Sequence, residues 1–161
     1  MLKKSWLLTR LGMGTLAGAA ATVPMTALLT ALHKAMPPQE QYPLPPAEIV
    51  GEMAEESGLR QALTPAQEHA LAVACHYGYG AAGGALYGAL TPAGASSPLR
   101  GTAFGLAVWA TSYLGWLPVL GILRPATEHP PRRTALMIAA HLVWGLALAA
   151  LVKVSSHPSD A

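Results

Sequence analysis

Charged residues are scarce in this sequence. Only 11% of its 161 residues are Asp, Glu, Lys or Arg, whereas soluble globular domains carry roughly 25%. Hydrophobic residues make up 52% of the chain, and 16 glycines are scattered among them. This balance excludes an ordinary soluble globule and is typical of an integral membrane protein.

The sequence also lacks any concentration of basic residues. Ten Lys and Arg against eight Asp and Glu give a formal net charge of +2, and their scatter argues against a nucleic-acid partner. The single cysteine, Cys75, excludes an intrachain disulfide and a CxxC zinc or redox motif. Because Cys75 lies within an apolar run, we expect it to be a small core residue.

Motifs for the common enzyme classes are missing as well. The sequence contains no nucleophile elbow, phosphate loop, dinucleotide-binding fingerprint or HExxH metalloprotease motif. We therefore predict that the chain is not an enzyme.

Four segments have the length and character of transmembrane helices. Such a helix needs roughly 20 mainly apolar residues, because its backbone groups must be satisfied within the segment. The segments are approximately residues 11–35, 68–90, 101–123 and 134–153. We predict an all-α fold, in which residues 1–161 form a single membrane domain, an integral four-helix bundle.

The first of these segments has a second interpretation. Lys3, Lys4 and Arg10 before an alanine-rich run are also typical of a secretory signal peptide cleaved near Ala19 to Ala21. A transmembrane helix is favoured because the apolar run continues beyond the length that a signal peptide needs. Lys and Arg divide evenly between the two sides of the bundle, so the basic start of the first helix decides our prediction that both termini are cytoplasmic.

The longest loop, residues 37–66, is rich in proline. Its Pro37-Pro38 and Pro43-Leu-Pro-Pro46 clusters favour extended backbone. From Ala47 to Arg60, apolar and acidic side chains fall on opposite sides of a helix, which predicts a short amphipathic helix on the membrane surface or over the bundle mouth. A solvated loop helix and a docking segment for a partner protein are the alternatives.

Two parts of the chain repeat each other. Residues 70–80 and 135–145 share the pattern Ala-Leu-x-aliphatic-Ala-x-His-x-x-aromatic-Gly, and Pro-Ala-x-Glu-His precedes each copy. The other two spans match through Gly-Thr-x-x-Gly, which begins at Gly14 and at Gly101. The sequence therefore predicts two duplicated helical hairpins, related by an axis along the membrane normal.

Small residues recur at helical spacing in both copies. His76, Gly80, Gly84 and Gly88 lie four residues apart, and His141, Gly145 and Ala149 repeat the spacing. Residues four apart share one helical face, where glycine lets a second backbone approach closely. We predict that these faces hold the helices together.

The two intramembrane histidines, His76 and His141, are the main candidate functional residues, because a buried ionisable group needs a partner. A polar layer is expected at their depth, formed by Thr26, Thr30, Thr111, Ser112 and Tyr113 near Pro24 and Pro118. Three interpretations stay open: neutral histidines bonded across helices, the proton or substrate site of a transporter or channel-like conduit, and two axial ligands of a b-type haem.

A duplicated Glu-His pair lies at the predicted outer mouth. It consists of Glu68, His69, Glu128 and His129, with His33 nearby. Carboxylate and imidazole groups suit zinc or another divalent metal if the two copies converge. The simpler interpretation is polar residues at helix starts, where the helix dipole favours glutamate. We expect no cofactor unless haem b or zinc occupies these positions.

The second half of the chain resembles a known family. The stretches Gly101-Thr-Ala-Phe-Gly105, Gly115-Trp-Leu-Pro118-Val-Leu-Gly121 and His141-Leu-Val-Trp144, with Trp109 between the first two, are similar to the YagU-like group of small, uncharacterised bacterial inner-membrane proteins. The resemblance implies a bacterial inner-membrane location and no defined activity. We expect a structural or accessory membrane protein, surrounded by lipid and partnered by a second copy or a membrane complex.

Overall fold

A computed structural model describes the backbone of residues 2–92 and 94–155. Within these residues the chain is helical and contains no strand, which confirms the all-α class for the described part. The helices are α1 (Leu2–Lys34), α2 (Pro45–Glu56), α3 (Pro65–Leu90), α4 (Pro98–Thr111), α5 (Leu117–Val119) and α6 (Pro131–Ser155). The predicted cytoplasmic termini include Met1 and residues 156–161, which lie outside the described residues.

The start of α3 is fixed by a capping box. The hydroxyl of Thr64 accepts a hydrogen bond from the backbone N–H of Gln67, and the Gln67 side chain accepts one from the backbone N–H of Thr64 at 2.9 Å. Pro65 follows at the first helical position, where its missing N–H costs nothing. These signals set the register of the helix that carries His76.

The third predicted span is interrupted. A π-helical turn over Ser112–Trp116 separates α4 from α5, and Gly115 within it has φ −115° and ψ −108°. Pro118 has no N–H for the carbonyl of Leu114, and its ring crowds that carbonyl, so the preceding turn widens. Residues 101–123 therefore do not form one continuous α-helix.

Two of the described helices are long and apolar enough to cross a membrane by length and composition. They are Trp6–Lys34 within α1 and Pro131–Val154 within α6. Segment 101–123 falls short because α4 has only 14 residues. Membrane crossing by α3 and by α4 with α5 stays a prediction.

Glycine faces bring α1 and α3 into backbone contact. A Cβ atom added to Gly84 would overlap the carbonyl oxygen of Gly14 and lie 2.6 Å from the Cα atom of Gly18. A Cβ atom added to Gly88 would overlap the carbonyl oxygen of Arg10. Only glycine allows this separation of the two helices, so these positions hold the hairpin together.

The α4 and α6 helices also pack through close glycine contacts. A Cβ atom added to Gly145 would overlap the carbonyl oxygen of Gly101 and lie 3.2 Å from the Cα atom of Gly105. The α1 and α6 helices also pack on each other. There the indole nitrogen of Trp144 donates a hydrogen bond to the carbonyl oxygen of Gly18 at 3.2 Å.

Aromatic rings fill the interior towards the end where α1 begins and α6 ends. The ring centroids of Tyr87 and Phe104 are 5.2 Å apart, and those of Phe104 and Trp144 are 6.1 Å apart. Tyr87 and Trp144 are almost completely buried. This cluster joins α3, α4 and α6 and closes that half of the bundle.

The α2 helix lies over the opposite end. It begins at Pro45, because proline suits the first turn, and it ends at Glu56, just before Gly58 with φ +70°. The predicted helix over residues 47–60 is therefore placed too late at both ends. Val50 and Ala54 are buried, and α2 packs on α3, so this helix covers the bundle mouth.

Large apolar side chains remain exposed along all four long helical segments. Leu16 of α1 is 74% exposed, Leu86 of α3 is 52%, Leu106 of α4 is 37% and Leu146 of α6 is 46%. Exposed large apolar side chains are thus present on each of these segments.

Candidate functional site

A cavity of about 200 Å³ lies inside the bundle beneath α2. Its lining includes Thr22 of α1, Ile49 of α2, Val108 of α4, Leu117 of α5 and Met137 of α6. Most of these side chains are apolar. Since a dry apolar cavity of roughly 150 Å³ holds benzene, the cavity has room for a somewhat larger apolar molecule.

Both predicted histidines line this cavity, His76 from α3 and His141 from α6. The Nδ1 atom of His141 lies 2.8 Å from the carbonyl oxygen of Met137. Because a carbonyl oxygen only accepts, Nδ1 donates this hydrogen bond. The His141 ring also meets the ring of Tyr113 edge to face, with centroids 6.0 Å apart. These contacts fix the orientation of His141.

The surroundings of His76 differ from those of His141. Its Nε2 atom is buried and has no hydrogen-bond partner among the described residues. An unpaired buried polar atom costs roughly 1–3 kcal/mol. The Nε2 atom of His76 is therefore a buried polar group without a partner, on a residue that lines the cavity.

One wall of the cavity is closed by a contact between α3 and the π-helical turn. The hydroxyl of Ser112 donates to the carbonyl oxygen of Val108 at 2.7 Å. The hydroxyl of Tyr79 lies 2.8 Å from Ser112 Oγ and donates to it, because the single Ser112 proton is already used. The ring centroids of Tyr79 and Trp116 also lie 6.1 Å apart.

The predicted polar layer is only partly present around the cavity. Ser112 and Tyr113 line it together with the two histidines. Thr26 does not, and its hydroxyl donates to the carbonyl oxygen of Thr22 within α1. Thr111 is exposed and bonds to its own helix in the same way.

Sequence reasoning missed two polar lining residues, Thr22 and Tyr79. The signal for Thr22 is its position one helical turn before Thr26, opposite the glycine face of α3. Thr22 Oγ1 is the atom that a Cβ atom on Gly80 would overlap. No sequence signal marked Tyr79 as a lining residue, because the repeated aromatic-glycine pattern already accounts for an aromatic residue directly before Gly80.

The expectation that Cys75 is a core residue is wrong, because its side chain is exposed. The face of α3 that carries His76, Gly80 and Gly84 packs towards α1, and the adjacent residue is rotated by about 100° around the helix. Cys75 nevertheless lines the cavity as well. The cavity is thus accessible from the surface beside α3.

The two Glu-His pairs lie in different surroundings. A Cβ atom added to Gly51 of α2 would lie 3.2 Å from Glu68 Oε1, whereas Glu128 and His129 line a separate polar groove with Glu48. Among the residues that the structure describes, no group of three or more His, Cys, Asp or Glu could hold a metal ion. The described residues therefore do not bring the two copies to one metal site.

His33 and His129 bond to backbone near the α2 end. His33 Nε2 lies 2.6 Å from the carbonyl oxygen of Tyr42, and His129 Nε2 lies 3.1 Å from that of Arg124. Burial lowers the pKa of His129 below its ordinary value, and the positive charge of Arg133 acts in the same direction.

The cavity is closed towards both ends of the bundle. Beyond Thr22, the backbones of Gly18 and Gly80 are in contact, and Trp144 forms part of the lining towards the aromatic cluster. At the other end α2 covers it. A volume of about 200 Å³ also leaves too little room for a porphyrin between the two histidines.

No protein-family model, curated protein or solved structure matches the chain.

Proposed function

We propose that this chain is a small multi-pass protein of the bacterial inner membrane with an accessory, non-enzymatic role. In that role it binds a small membrane-soluble molecule in the cavity beneath α2. The observation that carries the proposal is a largely apolar cavity lined by His76 and His141, inside a bundle whose outer surface is also apolar.

The exposed leucines support a membrane location for all four long helical segments. Each of the four segments has an exposed leucine: Leu16 in α1, Leu86 in α3, Leu106 in α4 and Leu146 in α6. The apolar surface therefore surrounds the bundle. In water this surface would promote aggregation, whereas lipid covers it without cost. The bilayer is therefore the proposed partner, and a second copy or a membrane complex would contact the same surface.

Close glycine packing of the same kind in both helix pairs supports duplicated hairpins. A Cβ atom added to Gly18 would overlap the carbonyl oxygen of Gly80, and one added to Gly105 would overlap that of His141 and lie 3.3 Å from the Cα atom of Gly145. The internal repeat aligns Gly18 with Gly105 and Gly80 with Gly145, so the contacts in the second pair are offset by one helical turn. The similarity of residues 101–144 to the YagU-like group is in keeping with this architecture and with the proposed inner-membrane location.

A binding protein fits the cavity better than a conduit. A conduit needs a path through the bundle, whereas glycine contacts and the aromatic cluster fill the half beyond Trp144. At the closed end, the hydroxyl of Thr22 donates a hydrogen bond within its own helix, to the carbonyl oxygen of Gly18 at 2.9 Å. This hydroxyl is therefore not left to line a polar path.

Thermal unfolding of the full chain in lipid nanodiscs tests the proposal, with naphthalene as the probe. A ligand that binds only the folded state raises Tm. Naphthalene should raise the Tm of the wild type and of Leu106→Phe, which adds a ring on the outer surface of α4. It should not raise the Tm of Val108→Phe, because Val108 lines the cavity.

The two substitutions are matched, since both add a phenyl group to α4, and partitioning of naphthalene into lipid is the same for each. Equal Tm shifts in the two variants, or no shift in the wild type, would contradict the proposed binding function.

A further inference from the structure

We propose that the bound molecule carries a neutral hydroxyl or carbonyl oxygen on an apolar body, and that His76 Nε2 recognises this oxygen. The inference rests on the proposed binding function and adds the chemical class of the ligand. It starts from the one cavity-lining ring nitrogen that is buried and unpaired among the described residues.

Several other polar atoms around the cavity already have partners. Thr22 Oγ1 donates to the carbonyl oxygen of Gly18, and Ser112 Oγ donates to that of Val108 while it accepts from Tyr79. Nδ1 of His141 donates within its own helix. Among the described residues that line the cavity, His76 Nε2 is the buried side-chain nitrogen without a hydrogen-bond partner, and this makes it the group that recognises the ligand.

Charge limits the ligand further. Among the described residues that line the cavity there is no Lys, Arg, Asp or Glu. A carboxylate, phosphate or ammonium group would be buried there without a counter-charge, which is costly. The recognised group is therefore neutral, and this excludes a fatty acid or a phospholipid headgroup from the cavity.

The tautomer of His76 decides which neutral oxygen fits. If Nε2 carries the proton, it donates to a carbonyl or to a hydroxyl oxygen; if it does not, it accepts from a hydroxyl. A hydroxyl satisfies either tautomer and is the better probe group. Cys75 and Tyr79 line the cavity and are exposed beside it, so such a molecule reaches His76 from the lipid side of α3.

Two matched probes test the inference: 1-naphthol, and naphthalene, which lacks the hydroxyl. Dissociation constants are measured for the full chain in nanodiscs and corrected for the partition of each probe into protein-free nanodiscs. The wild type should bind 1-naphthol roughly fivefold more tightly than naphthalene, the gain of one net hydrogen bond. His76→Phe should lose this preference while it still binds naphthalene.

The control variant is His69→Phe, on the exposed part of the same helix, which should keep the preference. Equal affinities of the wild type for the two probes would overturn the inference and leave the binding function intact. Retention of the preference in His76→Phe would overturn it as well. Failure of both probes to bind the wild type would instead overturn the binding function.

A second measurement needs no variant. In wild-type protein labelled with ¹⁵N-histidine, addition of 1-naphthol should shift the His76 Nε2 resonance, and addition of naphthalene should leave it nearly unchanged. Equal shifts with both probes would show that ring contact, and not a hydrogen bond, causes the change, and would contradict the inference.

Discussion

Arg133 of α6 forms an ion pair with Glu48 of α2, and only 8% of the Arg133 side chain is exposed. The guanidinium group also lies 5.2 Å from the ring centre of Tyr42, which precedes α2. The pair therefore fixes α2 to the end of the bundle. Since Ile49 and Val50 of this helix line the cavity, the ion pair also holds the cavity closed on that side.

Replacing Glu48 by alanine should be strongly destabilising, because it leaves the buried guanidinium group of Arg133 without a counter-charge. We expect a loss of about 3 kcal/mol in the free energy of unfolding, measured by denaturant titration in detergent. Glu55→Ala is the control, since it breaks an ion pair with Arg60 whose side chains are more than half exposed; it should cost less than about 1 kcal/mol. Equal losses in the two variants would contradict this role of the Arg133 pair.

Gly84→Ala should weaken the contact between α1 and α3, because the added Cβ atom meets the backbone of Gly14 and Gly18. We expect a loss of roughly 1–3 kcal/mol in the free energy of unfolding. Gly78→Ala on the same helix has nothing within 4 Å of the added atom and should be neutral or stabilising by up to about 1 kcal/mol. If the two variants unfold alike, close packing at Gly84 does not hold the hairpin.

Spacing rules account for what the sequence could predict about the site. Residues four apart share a helical face, so the placement of His76 above Gly80 and Gly84 follows from the sequence alone. The internal repeat then places His141 at the equivalent depth. The cavity between the two histidines could not be predicted, because it depends on how far apart α3 and α4 stand.

Other features depend on contacts that no local pattern reveals. Pro118 leaves the carbonyl of Leu114 without its helical donor, but the size of the π-helical turn and the inward position of Ser112 depend on packing against Tyr79. The pairing of Glu48 with Arg133 joins residues 85 apart in the chain. An acidic residue on an amphipathic helix is ordinarily solvated, so the sequence favoured an exposed Glu48.

Cys75 provides a native reporter of cavity occupancy, because it is exposed and also lines the cavity. Saturating naphthalene should slow alkylation of Cys75 by N-ethylmaleimide in nanodiscs. In a Cys75→Ala/Ala74→Cys variant the thiol lies at an exposed neighbouring position outside the cavity lining, and naphthalene should not slow its alkylation. Equal protection at both positions would mean that the probe acts on the lipid and not through the cavity.

Acid should destabilise the bundle through His129. Its pKa lies below the ordinary value of 6.5 in the folded chain, mainly because of burial, so the unfolded chain binds the proton more readily. The stability contribution is therefore complete above pH 6.5 and is lost as the pH falls from 6.5 towards the lower folded-state pKa. NMR titration should give the lowered pKa, and His129→Asn should show a weaker loss of stability over that range. A pKa at or above 6.5 would contradict the prediction.

The most direct test of the membrane account concerns α3, which is not one of the two helices whose length and composition alone suffice to cross a membrane. A nitroxide is attached at Ala82→Cys in a Cys75→Ala background, on an exposed part of this helix, and power-saturation EPR is recorded in bilayers. If α3 crosses the membrane beside the cavity, the nitroxide should be more accessible to oxygen than to the water-soluble complex nickel ethylenediaminediacetate. A greater accessibility to the nickel complex would place this face of α3 in water and contradict a membrane-embedded cavity.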